Sequence, residues 1–422
     1  MPSHDPYAAV RYREYRFLLF GGFLANLGSQ MQTVAIGWEL YERTHSAMAL
    51  GWVGLVQFLP IILLSIPAGH LADRFDRRRL VIAAQLLMAG ASVGLAVLSF
   101  THGNVAWMYA CLFAGGVARA ISMPAGASLL PALVPRAAFS NAVMWRTTAW
   151  HLASTVGPAL GGLLIAALTL PAVVYALDAG LILIFIGCLL AMKLRLPTHR
   201  GDSATVRSLL AGFRFVWDTK IILAAITLDM FAVLLGGATA LLPVYAKDIL
   251  HVGPSGLGWL RAAPAIGSLL MGLGLAYRRP LQRAGPALLW AVAGFGATMI
   301  VFGLSRSYWL SLGMLFASGV LDSISVVIRH TLVQVATPDS LRGRVSAVNG
   351  LFISCSNELG EFESGTMAAW FGPVVSVVSG GVGTMLVVVG VAALWPQLRR
   401  LGALHEASTP VTEEEEKGLP SA

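Results

Sequence analysis

The sequence predicts an all-α membrane protein, with twelve transmembrane helices in two six-helix halves related by a parallel pseudo-repeat. Three observations carry this. The 422 residues are 56% hydrophobic and only 12% charged, against about a quarter charged in an ordinary soluble domain, so lipid must be the solvent for most of the apolar surface. Apolar runs of about 20 residues recur along the whole chain. One segment of the first half reappears, little altered, in the second.

The runs fall near residues 17–39, 48–70, 80–100, 106–129, 143–168 and 172–192, and then near 221–246, 256–276, 286–305, 308–328, 345–369 and 373–395. Glycine is abundant within them, as in closely packed membrane helices. The first run is as long as a full span and has no small-residue cleavage site, so it reads as an anchor rather than a cleavable signal. The expected organisation is an N-terminal half over 1–194, a linker over 195–220, a C-terminal half over 221–396 and a disordered tail over 397–422. In the linker, Leu209, Leu210, Phe213 and Trp217 stand at helical spacing beside Arg207 and Arg214, the pattern of an amphipathic helix lying on a membrane surface.

If the spans alternate, 24 of the 29 Lys and Arg residues fall on the side of the even-numbered loops and the two tails, against Arg43, Lys247 and Arg306 opposite. Arg119 and Arg261 lie inside spans. The positive-inside rule then makes both termini cytoplasmic, in a bacterial inner membrane. The net charge of +8 thus reads as topology and contact with anionic lipid rather than as a nucleic-acid patch. Cys111, Cys188 and Cys355 form no CxxC pair, so neither a disulfide framework nor a metal site is expected. No cofactor is implied, and the absence of a GxSxG elbow, an HExxH helix or a Walker loop argues against an enzyme and against ATP-driven pumping.

The repeat is explicit. Residues 112–122 read LFAGGVARAIS and residues 315–325 read LFASGVLDSIS, identical at seven of eleven positions. A similar shift carries Pro60 to Pro264 and Gly157 to Gly360. An even number of spans separates the copies, so the halves share one topology and are related by an axis along the membrane normal. The repeat aligns Arg119 with Asp322. Charge within a span is costly and turns toward the bundle interior, so the two are expected to approach one another, or a common ligand, across the centre. The other ionisable residues within spans are Asp178, Asp229, Arg261, Glu358, Glu361 and Glu363. Glu358 and Glu361 are three apart and share a helix face. A carboxylate in a half-wet membrane cavity can load and unload a proton near neutral pH, because desolvation disfavours its charged form. Asp229, Glu358 and Glu361 are the candidates for proton coupling. Asp178 and His151 read as structural.

Between the second and third spans, the run Gly69-His70-Leu71-Ala72-Asp73-Arg74-Phe75-Asp76-Arg77-Arg78-Arg79 resembles the signature loop of the major facilitator superfamily, with Asp76 where the pattern usually has glycine. The Leu-Pro243-Val-Tyr stretch, the Pro338-Asp339-Ser-Leu-Arg342-Gly-Arg344 run and Asn357-Glu358-Leu-Gly360-Glu361 look like the enterobactin-exporter-like branch. The resemblance implies a cytoplasmic gate at Gly69, Asp73, Arg74, Arg77 and Arg78. It also implies a substrate cavity lined by spans one, four, seven and ten, where Gln30, Gln32, Arg119, Asp229 and Asp322 supply polar wall. Gly157, Pro158, Gly161 and Gly162 resemble the end of the fifth-span motif of exporters, and by their small-residue spacing alone they form a face for close helix contact.

The function expected is secondary active export of a small amphipathic compound, a drug or siderophore-like metabolite, by proton antiport and alternating access. The partners are the small molecule, protons and the bilayer, without nucleic acid, and the chain is expected to be a monomer. Proton-coupled uptake, or a receptor-like member that keeps the fold without transport, are the alternatives.

Overall fold

The structure is a computed structural model that describes residues 5–127, 129–193, 206–277, 282–338 and 341–403. Among these residues all regular structure is helical. The long helices are α1 Arg13–Thr44, α2 Ala47–Arg74, α3 Arg77–Phe100, α4 Val105–Ala127, α5 Arg136–Leu168 and α6 Pro171–Ala191. After a separate helix at Val206–Asp218 come α7 Lys220–Gly236, α8 Gly253–Ala276, α9 Ala284–Leu304, α10 Tyr308–Val335, α11 Arg342–Phe371 and α12 Pro373–Leu394. Nine candidate spans among the described residues are long and apolar enough to cross a membrane. The helices outside that set are α1, α8 and α11, and they carry Glu39, Glu42, Arg261, Glu358 and Glu361.

The connections differ at the two ends of the bundle. At one end every connection but that between α7 and α8 turns within a few residues, and the described residues with positive φ all lie there: His45, His102, Thr169, His251, Gly253 and Gly372. A left-handed residue just past a helix lets the chain reverse while its N–H caps a free carbonyl, as His45 does for Tyr41 and Thr169 for Ile165. The other end carries the basic connections, most of them longer. There Asp76 caps α3, accepting from the backbone N–H of Arg78 at 2.8 Å and of Arg79 at 3.2 Å. That is a physical use for an acid where the superfamily pattern has glycine.

Neighbour pairs recur. Helix α1 packs on α5 and α6, α2 on α4, and α3 on α4 and α6; equally, α7 packs on α11 and α12, α8 on α10, and α9 on α10 and α12. The two groups meet chiefly where α2 lies on α11 and α5 lies on α8.

Two elements differ from the sequence expectation. The seventh span is broken: α7 stops at Gly236, and the chain continues as a 3-10 turn at Ala238–Leu241, a single α turn at Leu242–Val244 and a π turn at Tyr245–Ile249. Adjacent glycines weaken the helix, and Pro243 has no N–H to extend the ladder. Residues 397–403, expected in the tail, pack onto the start of α9, where the N–H groups of Ala284 and Gly285 bond the carbonyls of Gly402 and Leu401 at 3.0 and 3.2 Å. Leu398 and Leu401 are buried there. In the linker, the helix Val206–Asp218 rests on α11, with Phe213 stacked on Phe352 and Trp217, both at 6.2 Å between ring centroids. Residue 194, residues 195–205 of the linker and residues 404–422 of the tail lie outside the described residues.

Candidate functional site

Where α2 and α11 meet, small residues bring the backbones together. A Cβ on Gly54 would meet the carbonyl oxygen of Glu358 at 2.8 Å, and one on Gly51 the Cα of Gly365 at 3.2 Å. Beside that contact sits a cluster of charge. Arg119, from α4, donates to the amide oxygen of Gln57 on α2 and stands 3.8 Å from the Glu358 carboxylate. Arg261, from α8, lies near Glu358 and Glu361 without an ion pair within 4 Å among the described residues. Two cations and two carboxylates are thereby gathered across the junction, each with an opposite charge nearby. That is the condition under which ionised groups persist away from water.

Further along the same junction the α1 end and the segment after α7 are tied side chain to side chain. Lys247 bonds Glu42 at 2.8 Å, and the Tyr41 hydroxyl donates to Asp248. Arg43 pairs with Glu39 at 2.5 Å and donates to the carbonyls of Leu98, Ser99 and Gly103, which fixes this end of α1 against the turn after α3. On the α5 side, a Cβ on Gly258 would lie 2.6 Å from the Pro158 carbonyl oxygen, and one on Gly162 would lie 2.8 Å from the Gly258 Cα. Gly157 and Gly161 face α1 at Gln30 and Met31 just as closely. The small-residue run of α5 is therefore pressed between α1 and α8.

The remaining candidates separate into distinct environments. Gln30 donates to Ser154 at 3.0 Å. Gln32 donates to Ser92 at 2.9 Å, and Ser92 to Asp178 at 2.6 Å, so Gln32 joins a network among α1, α3 and α6. Arg119 and Asp322 do not pair with one another, the first of the two arrangements that their equivalent repeat positions suggested. Arg119 is drawn to α11 because α11 packs on α2 beside it. Asp322 instead lines a cavity of about 240 Å³ with residues of α7, α8, α9 and α10 and Asn357 of α11.

Asp229 is buried, 6% exposed, in an ion pair with Arg329 of α10, itself 6% exposed. Sequence reasoning missed Arg329 by ending the tenth span at 328, although the helix runs seven residues further. It also passed over Gln57, the one amide in an apolar run. In the gate loop Arg78 bonds the carbonyl of Leu190 at 2.7 Å, tying α3 to the end of α6. Arg74 closes α2, Arg77 opens α3, and a Cβ on Gly69 would meet open space. The side chain of Asp73 lies outside the described residues.

A model of the transmembrane secretion effectors matches residues 4–417. The chain belongs to this family of the major facilitator superfamily. It is a multi-pass membrane protein of transporter type and not an enzyme. Among curated relatives of this secretion effector, the multidrug efflux pump Tap of Mycolicibacterium fortuitum is 27% identical over 91% of this chain and 96% of its own length. The enterobactin exporter EntS of Escherichia coli O1:K1 is 24% identical over 92% of each. Among solved structures, a bacterial homolog of the human lysosomal transporter Spinster, inward-facing and unoccupied, has a TM-score of 0.72 at 16% identity, covering 95% of this chain and 99% of its own. A peptide transporter of the POT group in complex with sulfate has the same TM-score at 13% identity, over 95% of this chain and all of its own.

Proposed function

We propose that this chain is a secondary exporter that moves a small amphipathic compound out of the cell in exchange for protons. In this reading all twelve long helices cross the membrane as two halves of six, α1–α6 and α7–α12, consistent with the matching neighbour pairs. The basic end of the bundle faces the cytoplasm, together with both termini. The named ties between the halves, Lys247–Glu42, Tyr41–Asp248 and the glycine contacts of α2–α11 and α5–α8, then lie toward the outside, so the state described is open to the cytoplasm. Likeness to an efflux pump and a siderophore exporter over nearly the whole chain supports export and the kind of cargo.

The observation that carries the coupling is the cluster of Arg119, Arg261, Glu358 and Glu361 across the junction of the halves. Rocking to an outward-open state draws α2 and α4 away from α8 and α11, so each carboxylate loses part of its compensating charge. A proton arriving from outside neutralises a carboxylate that has lost its cation. Return to the inward-open state brings Arg119 back and expels that proton to the cytoplasm. Proton entry is thus tied to the half-cycle that follows cargo release. We assign coupling to Glu358 and Glu361, and treat Asp229, held by Arg329, as a structural partner in this scheme. Asp73, Arg74, Arg77 and Arg78 serve as the latch that closes the cytoplasmic side in the opposite state. The chain acts as a monomer.

The test is efflux from cells carrying Glu361→Gln or Glu358→Gln, with and without a protonophore. Each variant should still bind cargo but lose protonophore-sensitive efflux. Wild-type, protonophore-sensitive efflux in both would overturn the coupling assignment.

A further inference from the structure

The cavity beside α10 has a one-sided chemistry. Asp322 projects into it with no hydrogen bond, ion pair or neighbouring charge among the described residues. Two of the three hydroxyls in its wall, those of Ser318 and Ser268 but not that of Thr239, have already committed their hydrogens. Ser318 donates to the Leu315 carbonyl at 2.7 Å, and Ser268 to the Gly319 carbonyl at 2.8 Å. Each therefore offers the cavity only lone pairs. Asn357 donates its amide hydrogen to the Ile353 carbonyl at 2.9 Å, which leaves its oxygen free. The broken end of α7 also borders the space through Val233, Gly236 and Gly237. A helix C-terminus brings unbonded carbonyls and the negative end of the dipole. Asn357 keeps one N–H and Thr239 its hydroxyl, but the only charge in the wall is the Asp322 carboxylate, set beside an amide oxygen, two saturated hydroxyls and a helix C-terminus, so the wall favours an occupant that donates hydrogen bonds or carries positive charge.

The rest of the wall decides which kind of cation. Phe295, Met299, Leu315 and Pro264 present carbon and sulfur, and Phe295 adds an aromatic ring of the kind that attracts organic cations. A bare metal ion needs a close cage of oxygens, whereas about 240 Å³ with mostly apolar walls suits a bulkier group. The repeat sharpens the contrast. The equivalent position in the first half is Arg119, whose charge is taken up by Gln57 and Glu358, so Asp322 alone of this pair is left for a ligand.

We propose that this cavity receives the positively charged group of an amphipathic organic cation, with Asp322 as its counter-ion, while the apolar body of the compound extends into the central space. This rests on the exporter reading and narrows its cargo to compounds bearing an amine or quaternary nitrogen.

The test is direct binding to the purified full-length protein, using ethidium as a monovalent cationic probe and N-phenyl-1-naphthylamine as a neutral one. Asp322→Asn keeps the shape and removes the charge, so it should weaken ethidium by about tenfold or more, the scale of one charge-assisted bond, and leave the neutral probe unchanged. Asp322→Glu should restore most of the ethidium affinity, and sodium should not displace ethidium. Equal ethidium binding by wild type and Asp322→Asn, equal loss of both probes, or displacement by sodium would each overturn the proposal. Export of neutral compounds without Asp322-dependent ethidium binding would retain the exporter and remove this site. Asp322-dependent binding in a protein that exports nothing would do the reverse.

Discussion

Asp229→Asn separates a structural role from a coupling role at a buried charge of α7. Asp229 and Arg329 are each only 6% exposed, and they are bordered by an apolar cluster that includes Leu228, Ala232, Ile328 and Leu332. Nη1 of Arg329 makes the contact with Asp229, and Nε has no hydrogen-bond partner. Neutralising the aspartate therefore strands a cation with little else to hold it. Removing one partner of a buried pair costs about 3–5 kcal/mol, or roughly a hundred- to several-thousand-fold in the folding equilibrium. Replacing both members with uncharged side chains is often close to neutral, so Asp229→Asn combined with Arg329→Met should regain most of that loss. The assay is thermal unfolding of the detergent-purified protein, run as a double-mutant cycle alongside efflux in cells. The expected result is a strongly destabilised single variant, and a double variant that is nearly as stable as the wild type and still exports in a protonophore-sensitive way. If Asp229→Asn unfolds like the wild type but has lost proton-driven efflux, Asp229 is the coupling carboxylate and its assignment to structure is wrong.

Three further outcomes are expected. Gly258→Leu places a side chain where even a Cβ would lie 2.6 Å from the Pro158 carbonyl, so it should hold α5 and α8 apart and favour the outward-open state. A cysteine pair at positions 37 and 243, where a Cβ on Gly37 would reach Pro243 at 3.0 Å, should cross-link less readily in that variant, and unchanged cross-linking would show that the contact does not control closure. Lys247→Glu replaces the 2.8 Å pair with Glu42 by repulsion; a partly exposed pair is worth about 0.2–1 kcal/mol, so the same cross-link should fall only a few-fold. A cysteine at position 410 should react with membrane-impermeant reagents only after cells are opened, and labelling of intact cells would reverse the proposed orientation.

The broad architecture was legible because it follows from the solvent. Lipid demands long apolar helices, and their positions can be read from a single chain. The recurrence of 112–122 at 315–325 likewise pointed to matching helix pairs, which α2–α4 and α8–α10 display. What the sequence left hidden is azimuth and end position. Whether Arg119 faces Asp322 or Glu358 depends on how α4 is rotated against helices far away in the chain, and nothing local encodes that contact. Arg329 escaped because hydropathy ends a span at its first charge, whereas a charge with a buried partner lets the helix continue to Val335. The interruption of α7 was written in Gly236, Gly237 and Pro243, but an apolar run hides a break that leaves its mean hydropathy high.

The glycine pairs Gly51–Gly365 and Gly162–Gly258 bear on the speed of the transport cycle proposed above. A contact that must part and re-form at every turnover would, if built from long side chains, have to freeze their rotamers each time, at up to about 1.5–2 kcal/mol per chain. Backbone resting on backbone has no rotamers to freeze and no interlocking ridges to disengage. In the proposed cycle these crossings resemble ground valve seats, which seal flush and lift off without side chains to disentangle. The directionality of the machine is left to the few charged residues set beside them.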